Sequence, residues 1–182
     1  MKMRLTILSL SAILLLIPLL SEAQKATEDQ KTATSIKWMS IEEAAKLNKK
    51  HPKKFLIDLY TDWCSWCKKM DAETFTDPRV VEYINTYYYA VKLNAEQKEP
   101  IEFKGQQFVN ANPDKPKSTH QLALALLKNE RLYPSYVILD QNSEWMYKMK
   151  GYKTPEDMLP ILKYYGEDFY LRMNWTEFSE QK

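Results

Sequence analysis

The sequence predicts an α/β fold: a central mixed β-sheet flanked by helices, with an insertion at about 94–118 and an extended C-terminal helical tail. Three observations predict it. Helix-like and strand-like segments alternate from residue 41 to residue 93, the pattern that covers a sheet with helices. Two strand-like runs at 136–139 and 144–150 are separated only by a turn, so a terminal hairpin makes the sheet mixed. An apolar run over 55–60 then leads, after one polar step, to Cys64 and Cys67, the only cysteines among the 182 residues.

Composition sets the bounds. With 45% hydrophobic and 27% charged residues, the chain can bury a core, and its length fits one domain. A net charge of +2 gives no reason to expect nucleic acid or an anionic membrane surface as a partner. Lys2 and Arg4, the apolar run 5–20 broken by Pro18, and Ser21-Glu22-Ala23 read as a signal peptide over 1–23 with cleavage before Gln24. Such a run is short for a bilayer span, which takes about 20 apolar residues. The protein is therefore expected to be exported, periplasmic or secreted. There a dithiol is oxidised unless something reduces it. Residues 24–36 are polar and aperiodic and read as a flexible leader, which leaves 37–182 as the folded domain.

Within that domain each element has a local cause. Ser40-Ile41-Glu42-Glu43 is a capping box that opens a helix to about Lys50, with Ile41, Ala44, Ala45 and Leu47 on one face. His51-Pro52 stops it. The run 55–60 is a buried strand, and a helix follows over 64–73. Thr76-Asp77-Pro78 supplies a cap and an N1 proline for a helix over 79–85. The aromatic and β-branched run 87–93 is a second core strand. Turn-rich stretches at 94–100 and 110–118 bracket the insertion, with a small hairpin around Gly105. A helix over 119–129 begins beside His120, expected at the surface. The strands 136–139 and 144–150 then lead to a last helix capped at Thr154-Pro155. Pro160 should kink that helix or delay its start. Gly166 can split it, leaving an aromatic tail over 169–178.

Three chemistries are open to Cys64 and Cys67. Structural zinc takes four ligands, and His51 and His120 have no ligand spacing, so no metal is expected. A purely structural disulfide closing so small a loop would stabilise little. Redox chemistry fits better. At a helix start, unpaired amides and the macrodipole favour a Cys64 thiolate, and Cys67 lies one turn further in.

The segment Asp58-x-x-x-x-Trp63-Cys64-x-x-Cys67-Lys68 resembles the active-site region of the thioredoxin superfamily. Through Thr74-Phe75-Thr76-Asp77-Pro78 it is similar to the periplasmic C-terminal thioredoxin-like domain of DsbD-type transmembrane reductant-relay proteins, and to related exported thioredoxin-like proteins. The resemblance spans about 37–165, apart from the insertion. It implies a thioredoxin-like fold in which Cys64 attacks and Cys67 resolves, with the cysteine pair serving in place of any cofactor. It further implies that Asp58 is the buried acid near the resolving cysteine, that Lys92 is its partner, and that Pro134 is a cis-proline facing the dithiol. Tyr133 would offer its backbone to a substrate strand, while Trp63 and Trp66 would form a contact surface. Ser65-Trp66 stands where thioredoxin has Gly-Pro, so the direction of electron flow stays open.

The expectation is a monomeric exported thiol–disulfide oxidoreductase, a protein-disulfide reductase. It would act on exported protein substrates with disulfides and be recharged by an upstream redox partner. Two alternatives remain at this point. One is a binding or chaperone-like module of the same fold without redox turnover. The other is a thiol peroxidase, for which the chain offers no third cysteine and no peroxide-binding motif.

Overall fold

The computed structural model describes residues 34–180, so the segment read as a signal peptide and most of the leader lie outside the described residues. The five-stranded sheet comprises β1 (Trp38–Met39), β2 (Lys54–Tyr60), β3 (Tyr88–Asn94), β6 (Ser135–Leu139) and β7 (Trp145–Lys150), in the spatial order β1-β3-β2-β6-β7. β1, β3 and β2 run parallel, while β6 and β7 are antiparallel to their neighbours, as the alternation followed by a hairpin requires. Because β2 is central, both of its faces are covered. Its run Lys-Phe-Leu-Ile-Asp-Leu is buried throughout, which explains why it reads as continuous rather than alternating.

Successive side chains of β2 point to opposite faces, and this divides the core in two. Phe55, Ile57 and Leu59 pack with α1 (Ile41–Asn48), α4 (Gln121–Leu127) and the hairpin β4 (Ile101–Phe103)–β5 (Gln106–Phe108). Leu56 packs on the other face with α2 (Ser65–Ala72), α3 (Pro78–Tyr87) and α5 (Pro155–Gly166). Asp58 and, on β3, Lys92 fall in that second register, beneath the helix that carries the cysteines.

The caps form as the sequence dictates. Ser40 Oγ accepts from the Glu43 amide at 3.1 Å, and a Glu43 carboxylate oxygen accepts from the Ser40 amide at 2.9 Å. Asp77 accepts from the Arg79 amide with Pro78 in the first turn, and the Thr154 hydroxyl accepts from the Asp157 amide. In the insertion, Lys104 and Gly105 both have positive φ, 53° and 73°, which a two-residue hairpin turn of the primed type needs.

Three expectations change. Leu47 is exposed rather than packed, because α1 ends beside the two-residue edge strand β1, and Leu47 borders a shallow cleft there with Trp38 and Met39. His120 is fully buried: it is the N-cap of α4, its Nδ1 accepting from the Leu122 amide at 3.2 Å, and burial holds its pKa below the ordinary value. Pro160 does not delay α5, which starts at Pro155 under the Thr154 cap and runs through the proline. Gly166 ends that helix and divides it from the aromatic tail, as expected; a Cβ there would meet Tyr83, Tyr88 and Tyr87 atoms at 3.2–3.3 Å. The aromatic tail then folds as a 3₁₀ turn, Phe169–Leu171, and the short helix α6, Trp175–Ser179.

Leu56 is fully buried where β2 meets α2 and α3. Leu56→Ala should therefore lower stability by about 2–5 kcal/mol in urea denaturation, as cavity-forming substitutions do. A loss under about 1 kcal/mol would mean that this face is not close-packed.

Candidate functional site

The site assembles where β2 ends. The Ala95 amide donates to the Tyr60 carbonyl at 2.8 Å, which holds the end of β3 against it. The chain then turns, with the Cys64 amide donating to the Thr61 carbonyl at 3.1 Å, and Cys64 becomes the N-cap of α2. Its Sγ accepts from the Cys67 amide at 3.1 Å. That amide is one of the donors left unpaired in a helix's first turn, so a sulfur here is stabilised most when it is a thiolate. Cys64 and Cys67 are joined by a disulfide with a Cα–Cα distance of 5.3 Å, and both are buried, at 4% and 3% exposure.

Beneath them lies a buried charge. Asp58 is 2% exposed and accepts from Lys92 Nζ at 2.7 Å through Oδ2, while its Oδ1 has no hydrogen-bond partner. Burial raises its pKa from 3.8 to about 6 against the opposing pull of the Lys92 ammonium. Burial also disfavours the charged form of Lys92, but Asp58 and Asp71 outweigh it and hold that pKa above the ordinary lysine value. The ammonium sits within cation–π reach of Trp38, Tyr60 and Phe75, at 4.9, 5.1 and 5.6 Å from the ring centroids.

Two groups here escaped the sequence reading. Asp71 of α2 also pairs with Lys92, so the ammonium is shared between two carboxylates. The available signal was spacing, since Asp71 follows Cys67 by four residues and so shares its helix face. Tyr136 lies directly across from Asp58 on β6, with a buried hydroxyl that has no partner. Burial, followed by the charges of Asp58 and Asp71, pushes its pKa far above the ordinary tyrosine value.

At the rim, Leu59 pairs with Ser135, so the chain entering β6 arrives at the same end of the sheet as the cysteines. The Tyr133–Pro134 peptide is cis. Tyr133 sets its ring edge-on to Trp63, with centroids 6.1 Å apart. Trp63 and Trp66 are each 55% exposed, Trp66 leaning on Tyr152 at 5.7 Å. All eight residues singled out from the sequence thus occur at this end of the sheet or directly below it. Among the described residues, no group of three or more His, Cys, Asp or Glu side chains is placed to hold a metal ion.

A family model described as a thioredoxin-like domain matches residues 41–166. The thiol:disulfide interchange protein DsbD of Escherichia coli K12 is 35% identical over 78 residues, covering 41% of this chain and 14% of that protein. DsbD of Haemophilus ducreyi is 46% identical over 41 residues, covering 22% of this chain and 7% of that protein. The chain thus spans only a small part of the curated relatives it matches. Among solved structures, a thioredoxin-fold protein from Helicobacter pylori superposes with a TM-score of 0.55 at 18% identity, covering 82% of this chain and 86% of that one.

The Asp58 environment has a pH signature. In the folded protein its pKa lies near 6 rather than 3.8, so between those values the folded state holds a proton that the unfolded state has released. Stability should therefore fall as pH rises through that window, and Asp58→Asn should remove this component. Carboxyl NMR of the oxidised protein should give a midpoint near 6, and Lys92→Met should move it higher by removing the charge that holds it down. A midpoint at the ordinary aspartate value would contradict this environment.

Proposed function

The chain belongs to the thioredoxin-like domain family, and we propose that it is an exported thiol–disulfide oxidoreductase that reduces or exchanges disulfides in other exported proteins. The observation that carries this reading is the position of Cys64: a sulfur at the N-cap of α2, accepting the Cys67 amide, at the end of the central strand that buries Asp58. A cysteine pair serving only to staple the chain needs neither the amide nor the buried acid.

In the reducing direction, the Cys64 thiolate attacks one sulfur of a substrate disulfide. A Cys64–substrate disulfide forms, and the other substrate sulfur leaves as a thiolate that takes up a proton. Cys67 then loses its proton and attacks Cys64 Sγ, which closes the Cys64–Cys67 bond and expels the second substrate sulfur. Two electrons pass from the protein dithiol to the substrate. Asp58, paired with Lys92 and poised near neutrality, is the group we assign to exchanging the Cys67 proton. The closed disulfide returns to the dithiol by the same exchange with a dithiol of an upstream redox partner.

The rim serves binding. Trp63 and Trp66 flank the sulfurs as exposed apolar surface, and Leu132 beside Tyr133 adds a third exposed apolar side chain, 48% exposed. Tyr133 and cis-Pro134 lie where an extended substrate segment would run, its backbone meeting that of Tyr133. We assign the protein to the cell exterior or periplasm, acting as a monomer, with the pattern of residues 1–23 as support for export.

Two variants separate this function from a fold that merely binds. Cys67→Ala should accumulate covalent adducts with partner proteins that resolve on adding a reductant, and Cys64→Ala should accumulate none. The wild-type protein should speed insulin reduction by a small dithiol, and both variants should lose that activity. Equal adduct formation by the two variants, or no acceleration by a fully reduced wild type, would remove the assignment.

A further inference from the structure

The insertion over 94–118 does more than decorate the fold. Its two ends close on Trp63. The Trp63 indole N–H donates to Glu96 Oε1 at 3.0 Å, and Lys117 Nζ lies 5.2 Å from the centroid of the indole ring. Lys117 is an exposed residue whose backbone is in the left-handed region, with φ of 60°, a conformation that costs energy for a non-glycine residue and persists only where its surroundings fix it.

A turn closed by the Ser118 amide donating to the Lys115 carbonyl at 3.1 Å sets this conformation, and Asn110 anchors the end of that turn. This residue is 5% exposed, and its amide nitrogen donates to the Ser118 carbonyl at 2.9 Å and to the Gln97 carbonyl at 3.2 Å. Its Oδ1 accepts from the Ser118 hydroxyl at 2.6 Å. One buried side chain thus clasps the entry and exit of the insertion, and Lys117 and Glu96, immediately beside the clasp, are delivered onto Trp63.

The two walls of the rim hold their lysines differently. On the Trp66 side, Lys69 lies over the ring at 5.4 Å but has Glu73 within 3.9 Å to offset it. On the Trp63 side, the acid Glu96 is engaged by the indole N–H, and among the described residues Lys117 has no carboxylate partner. An ammonium seated over the face of an exposed tryptophan, in no ion pair among the described residues and next along the rim from Cys64, is complementary to an acidic side chain on an incoming segment, while Glu96 is held at the ring's N–H edge.

We propose that the insertion is the specificity wall of the site, and that Lys117, held over Trp63 by the Asn110 clasp, selects protein segments carrying an acidic residue next to the cysteine to be reduced. The proposal rests on the redox reading of Cys64 and Cys67 and adds the substrate class to it. Electrostatic selection of this kind acts on the rate of productive encounter and weakens with salt.

The test uses pre-reduced full-length protein in single-turnover reactions. It compares three peptide disulfides that differ only in a Glu, Gln or Lys beside the cysteine, alongside a small uncharged disulfide. For each protein, rates are expressed relative to its own rate on the uncharged disulfide, so that altered thiol reactivity cancels. Wild type should reduce the Glu peptide about three- to tenfold faster than the Lys peptide at low ionic strength, the range expected of one or two exposed charge contacts, and the ratio should shrink in high salt. Lys117→Met should bring the Glu and Gln peptides level, and Lys117→Glu should invert the preference. Asn110→Ala, which frees the wall without touching its charge, should weaken the preference while the insertion stays attached. If wild type shows no preference, or if Lys117→Glu leaves the ratio unchanged, Lys117 only supports Trp63 and the proposal is overturned. If neither the peptides nor the uncharged disulfide is reduced, the redox reading itself fails.

Discussion

A carboxylate removed from water costs several kcal/mol unless a cation meets it, and the dithiol end of this protein is built around one such meeting. Asp58 sits in the middle of the central strand, and Lys92 reaches it from the neighbouring parallel strand in direct register. Because the pair stands on the face covered by α2, the helix bearing the cysteines must pack over it, and Asp71 of that helix completes the cluster around the ammonium. Trp38, Tyr60 and Phe75 close the space around Lys92, so the charge has few positions to occupy. A carboxyl group in this setting sits near neutrality in its titration, which suits it to giving or taking one proton.

The same sheet edge sets the rest of the site. β2 delivers Cys64, β3 ends where the insertion begins, and β6 starts just after cis-Pro134, all at one end of the sheet. Three chain crossings separated by tens of residues therefore meet at the disulfide. Exposed tryptophans on both flanks follow from this convergence: the turns that bring the strands together have no further layer to cover them. The insertion occupies one flank, and its buried Asn110 gives it the order that a turn-rich segment would otherwise lack.

What was legible in the sequence is mostly what is local. The capping box at Ser40, the Asp77-Pro78 start and the Thr154-Pro155 start depend on residues within one turn, and each forms as read. The cysteine spacing and the apolar run before it fixed the strand-to-helix step for the same reason, and the turn-rich stretches marked the insertion and its hairpin. Tertiary causes stayed hidden. β1 is two residues long and exists only because β3 offers it an edge, so no periodicity could announce it. His120 is polar and stood beside a turn, which reads as surface, yet its ring nitrogen caps α4 inside the fold. Asp71 and Tyr136 join the site through contacts with Lys92 and across to Asp58 from separate elements, and Asn110 matters only because both ends of the insertion return to it.

The central claim is that the Cys64–Cys67 bond opens and closes in the folded protein as part of its work. Equilibration in glutathione buffers of graded redox ratio, followed by alkylation and mass measurement, tests it directly when circular dichroism is recorded on the same samples. A single reversible two-electron transition between closed and dithiol forms is expected, with the folded signal unchanged across it. A bond that stays closed in every buffer until the fold is lost would make the disulfide a staple and contradict the account.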